Sequence, residues 1–271
     1  MLVQQVSFSA MAGMALSIVL ALGLPAALLI LGRKRLGARL GSFLFGCVVY
    51  FGMARALEPV LNAAVLRFAG GAVAGSVVLY ALYGGLVASL LEEGGRYLAL
   101  RTLIRPLDRE NALMLGAGHG SLESVLLVAW PQLGSLLNAV LINNGLMQQS
   151  LDALREPELT ATYKAIEPLW TTPAAAFWLA GFERIVILAM HLCLSLLLFW
   201  ALRRGRRGYL LFAFGAHFAV VAATLLLTRL SGVVAAELAA VLLVAGIVWY
   251  TLRADRAERA ADAALPAGDG Y

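Results

Sequence analysis

Charged residues are scarce in this sequence. Only 14% of its 271 residues are Asp, Glu, Lys or Arg, whereas 61% are hydrophobic, and the mean hydropathy is +0.84. Soluble globular domains contain about one quarter charged residues, so the composition excludes an ordinary soluble domain. It predicts an all-α fold, a polytopic transmembrane helical bundle of about seven helices of about 20 to 28 residues joined by short loops.

Cysteine is nearly absent as well. Cys47 and Cys193 both fall in apolar runs, which gives no support to a disulfide framework or a thiolate metal site. The zinc-protease motif HExxH is missing, and this weighs weakly against a site of that type. No basic segment precedes the first apolar run, from about residue 8 to 31, which is longer than a signal-peptide core. We therefore expect that run to remain as the first membrane helix.

Basic residues exceed acidic ones, with 21 Lys and Arg against 16 Asp and Glu, but they are dispersed among short loops, so no nucleic-acid partner is predicted. Membrane helices are predicted at 7–31, 40–66, 72–102, 111–146, 173–202, 208–228 and 232–252. They form one transmembrane domain over 1–252, followed by a disordered cytoplasmic tail over 253–271. Fourteen basic residues then lie on one side and four on the other, which predicts an external N-terminus and a cytoplasmic C-terminus.

Two stretches of this topology are irregular. Pro131 lies inside 111–146 and is expected to kink or break that helix, with the second half re-entering the membrane or lying along the outer interface. The loop over 148–172 is expected outside, where it forms a short interfacial helix with Trp170 at the headgroup level.

Ionisable residues inside the predicted helices are few. Each costs about 2.5 to 3.5 kcal/mol to insert, so a chain that keeps several is expected to use them. Glu92, Glu93 and Arg96 are spaced so that the arginine can neutralise one carboxylate and leave the other for chemistry. Counting from the cytoplasmic helix ends places four side chains in one layer, about 12 to 15 Å deep. They are Glu92, His119, His191 and His217.

Neighbouring positions extend this layer. His119 and Glu123 lie one turn apart on one helical face, and Glu183 shares a stripe with His191 and Ser195, about 12 Å further outward than the histidine. Four glycines are expected to let neighbouring helices approach closely: Gly94, Gly95, Gly116 and Gly120.

A carboxylate with two or three histidines suits hydrolysis. The glutamate can act as a general base that deprotonates a water, while a histidine donates to the developing oxyanion. The same four residues, Glu92, His119, His191 and His217, could instead bind a divalent metal such as zinc that activates the water. The residues alone leave both chemistries open.

Four segments together resemble the YhfC-type membrane proteins, which are grouped with the glutamic-type intramembrane proteases, including the CAAX prenyl endopeptidases and bacteriocin-processing enzymes. They are EEGGRY at 92–97, GAGHGSLES at 116–124, ERIVILAMHLCLS at 183–195 and FGAHF at 214–218. The resemblance implies an intramembrane endopeptidase of the bacterial inner membrane that acts on a membrane-embedded or membrane-proximal protein or peptide.

The resemblance also implies roles for residues. Glu92 would activate water with no required cofactor, Arg96 would hold Glu93, and His119 with either His191 or His217 would fix the water and the oxyanion; zinc remains possible. The candidate catalytic residues are Glu92, Glu93, Arg96, His119, Glu123, His191 and His217, with Glu183 and Ser195 in support.

Two other functions compete with proteolysis. A proton- or metal-coupled transporter could line its path with Glu92, Glu123, Glu183 and the histidines, and their spread in depth favours it. The lack of an inverted repeat weighs against transport. A catalytically silent scaffold could bind another membrane protein through its glycine-rich faces, but it has little reason to keep a costly buried carboxylate pair.

Overall fold

The computed structural model describes residues 2–264, and all regular secondary structure in that range is helical. Within that range the chain forms ten helices: α1 (Phe8–Leu36), α2 (Leu40–Gly75), α3 (Val77–Thr102), α4 (Arg109–Asn143), α5 (Leu146–Asp152), α6 (Glu158–Ile166), α7 (Pro168–Thr171), α8 (Ala174–Arg204), α9 (Arg207–Leu230) and α10 (Val233–Ala263). All but the short α5, α6 and α7 are long and apolar enough to cross a membrane. The predicted fold class, with seven membrane helices, is confirmed.

Two of the long helices widen into a π-helical turn just before a proline. The turn Phe51–Leu57 precedes Pro59 in α2, and the turn Val125–Ala129 precedes Pro131 in α4. Proline has no backbone N–H, and its ring crowds the carbonyl group four residues earlier, which a wider turn can accommodate. α4 therefore continues past its proline to Asn143, so of the two predicted alternatives at that residue the break is wrong, and the kink stays a prediction.

The last helix is longer than the hydropathy pattern predicted. α10 runs to Ala263, although the predicted helix ended at 252 and a disordered tail was expected from 253. The extension RADRAERAADA is rich in strong helix formers, which explains its local conformation. Residues 265–271 of the predicted tail lie outside the described residues.

The chain divides into two compact units, and the boundaries fall inside α1, α4 and α8. The smaller unit comprises Met1–Ala26 and Glu123–Ile185, and the larger unit comprises Ala27–Leu122 and Val186–Tyr271. The sequence predicted one transmembrane domain over 1–252 and gave no sign of this division.

The smaller unit is held together by polar contacts at helix ends. The Val6 N–H donates to Asn143 Oδ1 at 2.8 Å, and Asn143 Nδ2 donates to the Val6 carbonyl oxygen at 2.9 Å. In the predicted external loop, α5, α6 and α7 replace the single expected helix, and Ile166 and Leu169 are buried in the core of this unit. Trp170 packs on Tyr163 with ring centroids 5.7 Å apart. Its position at the headgroup level stays a prediction.

Glycines bring α2 and α4 into backbone contact in the larger unit. A Cβ atom added to Gly118 would lie 1.9 Å from the Phe43 carbonyl oxygen, and one added to Gly46 would lie 2.1 Å from the Leu115 carbonyl oxygen. The Cys47 thiol donates to the Gly118 carbonyl oxygen at 3.3 Å. This contact fixes the turn of α4 that carries the next residue, His119.

A second glycine face brings α8 against α4. A Cβ atom on Gly116 would lie 2.5 Å from the His191 carbonyl oxygen, and one on Gly120 would lie 2.9 Å from the His191 ring. The predicted close approach at these two glycines is confirmed. Of the two glycines beside the glutamate pair on α3, Gly95 makes such an approach, at 2.6 Å from the Met53 side chain. Gly94 has nothing within 4 Å, so the expectation for that glycine is wrong.

Candidate active site

α3 carries two carboxylates and one arginine into the interior of the larger unit. Glu92, Glu93 and Arg96 are all buried. The Arg96 guanidinium forms an ion pair with Glu93, and its Nη2 atom lies 3.8 Å from Glu92 Oε2. One arginine facing two carboxylates leaves the group short of positive charge, which a buried site tolerates only if further donors or a cation approach.

His119, on α4, supplies one such donor. Its ring is fully buried, and Nε2 lies 2.8 Å from Glu92 Oε2. Tyr50 of α2 packs edge-on against the imidazole, with ring centroids 5.2 Å apart. The glycine contacts of α4 on either side of this residue therefore bring the imidazole to the Glu92 carboxylate and hold it there.

His191, on α8, lies against His119. Their ring centroids are 4.7 Å apart, and His191 is also buried. The backbone of this residue contributes too, because Arg96 Nη1 donates to the His191 carbonyl oxygen at 3.5 Å. α8 is thus tied both to the arginine of α3 and to the glycine face of α4.

His217, on α9, pairs with the second carboxylate. Nδ1 lies 2.7 Å from Glu93 Oε1 and acts as the donor, because an ionised carboxylate only accepts hydrogen bonds. This pairing turns Nε2 toward Glu92, where it lies 3.9 Å from Oε2. The helices meet closely because Gly85 of α3 leaves room for α9: an added Cβ atom would lie 2.9 Å from the Phe218 carbonyl oxygen.

Three of these side chains have a donor set that suits a metal ion. Glu92, His119 and His191 each offer one ligand atom, and these atoms lie within 4.8 Å of one another. One carboxylate and two imidazoles, with a further position open to water, is a donor set typical of catalytic zinc. The chemistry of the site therefore fits a divalent metal, although HExxH is absent.

Comparisons with known proteins show which family the chain belongs to. The profile of the YhfC intramembrane metalloprotease family matches residues 18–252. The chain belongs to this family. It is 30% identical over 256 residues to YhfC of Bacillus subtilis (strain 168), described as an uncharacterized membrane protein, and the match covers 93% of this chain and 98% of that protein. No solved structure matches the chain. Membership in the YhfC family, together with the seven apolar helices, makes this an integral membrane protein.

The YhfC family description names a metal, whereas the resemblance drawn from the sequence implied a glutamate that needs none. The geometry accommodates the metal through Glu92, His119 and His191. His217 is the fourth candidate ligand from the sequence, and it is not among the side chains whose ligand atoms lie within 4.8 Å of one another. Its Nδ1–H group donates to Glu93, as the second nitrogen of a histidine ligand commonly does to a carboxylate, so ligation through Nε2 stays a prediction. The pairing of His217 with Glu93 is a contact that sequence spacing did not indicate.

Glu123 and Glu183 meet at Arg184 within the smaller unit. Arg184 Nη1 donates to Glu123 Oε1 at 3.2 Å, and Nη2 lies 2.7 Å from Glu183 Oε2. Arg184 is 3% exposed, and the sequence analysis gave it no role. A buried arginine beside a glutamate needs carboxylate partners, and this signal could have identified the trio. A catalytic role for Glu123 and a supporting role for Glu183 stay predictions.

Ser195 is buried on α8, one turn after His191. A Cβ atom added to Gly116 would lie 2.7 Å from its Oγ atom, so the hydroxyl packs against the glycine face of α4. This Oγ atom makes no hydrogen bond with any described residue. The serine therefore contributes small size to the packing between α4 and α8, and its supporting role in chemistry stays a prediction.

Proposed function

We propose that this protein is an intramembrane endopeptidase that hydrolyses a peptide bond beside Glu92, His119 and His191. The single observation that carries the proposal is the convergence of these three buried side chains, each from a different membrane helix, with ligand atoms within 4.8 Å of one another. Ionisable side chains are costly to bury in a membrane, and a cluster of them is typical of a site for catalysis or transport.

Glu92, His119 and His191 would hold a zinc ion. When bound, zinc lowers the pKa of a water and polarises a carbonyl oxygen. The added positive charge also compensates for the two carboxylates that share Arg96. Binding would displace the proton between His119 Nε2 and Glu92 Oε2, so metal affinity should fall as the pH falls.

Proton transfer falls to His217, which Glu93 orients. With Nδ1–H held by Glu93, the Nε2 atom takes a proton from the attacking water and then donates it to the amine as the C–N bond breaks. Arg96 keeps Glu93 ionised as the acceptor. If the metal proves dispensable, Glu92 itself becomes the group that deprotonates the water, as the resemblance to glutamic-type proteases implies.

The substrate we propose is a membrane-embedded or membrane-proximal protein or peptide, since the site lies on helices that cross the membrane. The enzyme would lie in a bacterial inner membrane with its N-terminus outside and its C-terminus in the cytoplasm, as the distribution of basic residues predicts.

The metal is tested first by elemental analysis of the purified protein in detergent. We expect about one zinc per chain in the wild type and a loss of at least 90% in His119→Ala and His191→Ala. Glu237→Gln is the matched control, because Glu237 is a membrane-helix carboxylate of α10 for which the proposal has no role. Retention of zinc in both histidine variants would contradict the ligand assignment.

Hydrolysis is tested with a library of fluorogenic transmembrane peptides in proteoliposomes. We expect cleavage by the wild type, its loss after chelation and its recovery with added zinc. Cleavage that survives complete removal of the metal but is lost in Glu92→Gln would establish the metal-free route. Zinc or proton flux across the vesicle membrane, with no peptide cleaved, would instead support the transporter.

A further inference from the structure

A second polar group lies on α2 and α3, away from the residues that the proposed reaction uses. Arg55, Glu58 and Asn62 follow one another at spacings of three and four residues, so they share one face of α2. The Tyr83 hydroxyl of α3 donates to Asn62 Oδ1 at 2.7 Å, and the Asn62 amide donates to Glu58 Oε1 at 3.5 Å. Polar groups of this kind are expensive at membrane depth and call for a function.

This part of α2 is open. None of the residues in the π-helical turn Phe51–Leu57 or in the following segment Glu58–Gly75 is buried. Glu58, Asn62 and Tyr83 are each partly exposed. A molecule that arrives through the lipid can therefore reach this hydrogen-bonded chain without displacing core side chains.

The chain of polar groups leads toward the candidate active site. The Glu58 carboxylate interacts electrostatically with Glu92 and His217. Along α3, Tyr83 precedes Glu92 by nine residues, a distance of about 13 Å at 1.5 Å per residue. An extended peptide rises about 3.3 Å per residue, so about four residues would cover that distance.

A membrane helix must unwind locally before one of its peptide bonds can be cut. Its freed N–H and C=O groups then need hydrogen-bond partners, since lipid offers none. The Tyr83 hydroxyl donates to the Oδ1 atom of Asn62, so the N–H groups of this amide are the ones that can donate to Glu58 or to a peptide carbonyl oxygen. The Glu58 carboxylate can accept from a peptide N–H group.

We propose that Glu58, Asn62 and Tyr83 form a subsite for the backbone of an unwound substrate segment, about four residues from the bond that is cut. This inference rests on the proposed function, because it assigns the occupant as a membrane peptide on its way to Glu92. The class of ligand is an extended, helix-broken transmembrane segment, recognised through main-chain groups rather than through side chains.

Photocrosslinking tests the subsite without relying on cleavage. A benzophenone amino acid replaces Leu86, an exposed residue one turn from Tyr83, in a Glu92→Gln background reconstituted in phosphatidylcholine vesicles. The probes are two Leu/Ala transmembrane peptides, one uninterrupted and one with a central Gly-Pro pair that breaks its helix. The same photoprobe at Leu242, an exposed residue of α10, is the control position.

We expect the Leu86 position to label the Gly-Pro peptide several-fold more than the uninterrupted peptide, and the Leu242 position to label both equally. Asn62→Ala and Tyr83→Phe should each reduce the selective labelling by about 2- to 10-fold, the effect of one lost hydrogen bond. Equal labelling of the two peptides, or no effect of either substitution in protein that stays monodisperse, would overturn the subsite.

Its failure is distinguishable from that of the proposed function. Selective labelling with no cleavage of any library peptide by the wild type would keep the subsite and overturn the endopeptidase. If the wild type cleaves a peptide and Asn62→Ala cleaves it with the same KM and kcat, the endopeptidase is kept and the subsite is overturned. A rise in KM with a nearly constant kcat supports both.

Discussion

The larger unit contains two groups of buried acids, and their negative charges are neutralised by different kinds of side chain. Near the end of α10, Glu258 accepts from Arg204 at 2.8 Å, from Arg206 at 2.7 Å and from the Tyr209 hydroxyl at 2.7 Å. Asp255 accepts from Arg109 at 2.9 Å and from the Trp200 indole at 3.1 Å. We call these two acids with their partners the helix-end clamp.

At the candidate active site, by contrast, two carboxylates share one arginine and are otherwise paired with imidazoles. Arginine keeps its charge at every physiological pH, so a carboxylate saturated by arginine is fixed. Imidazole gains and loses a proton near neutral pH and binds metals when neutral. The comparison suggests that the clamp serves the fold and that the histidine-lined group serves chemistry.

The largest effect is expected for a substitution of His217, which should lower the rate of cleavage without lowering the zinc content. His217→Gln should reduce cleavage by about 100- to 10,000-fold, the usual contribution of a general acid or base, because its Nε2 atom is lost as the proton carrier. Zinc content should stay near one per chain, since His217 is outside the proposed ligand set. Elemental analysis and the peptide assay on the same sample measure both, and loss of zinc in this variant would make His217 a ligand instead.

A substitution in the helix-end clamp should instead lower the stability of the protein and leave cleavage unchanged. Glu258→Ala removes an acceptor that is only 2% exposed and leaves Arg204 with fewer partners, so we expect a loss of about 2 to 4 kcal/mol in the free energy of unfolding. Cleavage per folded molecule should be unchanged at a temperature where the variant remains folded. Denaturant unfolding in detergent micelles measures the stability.

Arg256→Ala is the matched control for the clamp, because Arg256 lies on the same helix and is exposed. It should change the free energy of unfolding by less than about 0.5 kcal/mol. A clamp variant that lost activity without losing stability would remove the contrast between the two groups of acids.

Sequence reasoning located the seven membrane helices because long apolar runs have few other uses, and counting depth placed Glu92 and the three histidines in one layer. It failed where partners are distant in the chain. The extension of α10 looked polar, and its position within the larger unit depends on contacts with distant residues such as Arg109, Arg204 and Arg206. Glu123, one of the two partners of Arg184, is 61 positions away and was likewise not connected with that arginine.

The glycine contact that supports the site gives a smaller effect. Gly118→Ala would place a Cβ atom 1.9 Å from the Phe43 carbonyl oxygen, which forces α2 and α4 apart. We expect a loss of about 1 to 3 kcal/mol in stability and a several-fold weaker affinity for zinc, because His119 follows directly in α4. Thermal unfolding and zinc titration of the apoprotein measure the two quantities.

Gly134→Ala is the control in the same helix. An added Cβ atom there has nothing within 4 Å, so alanine should stabilise α4 by about 0.5 to 1 kcal/mol through its higher helix propensity. If both substitutions weakened zinc binding equally, the site would depend on the flexibility of α4 rather than on the contact at Gly118.

The smallest expected effect concerns Ser195. Its Oγ atom is buried against the Gly116 face and makes no hydrogen bond with any described residue. Ser195→Ala removes this hydroxyl without opening a cavity larger than one atom, so stability should rise slightly or stay within about 0.5 kcal/mol. Zinc content and kcat should also be unchanged if the serine only provides small size. A fall in kcat of tenfold or more with zinc retained would show that the hydroxyl contacts substrate, and would extend the reacting group one turn along α8 from His191.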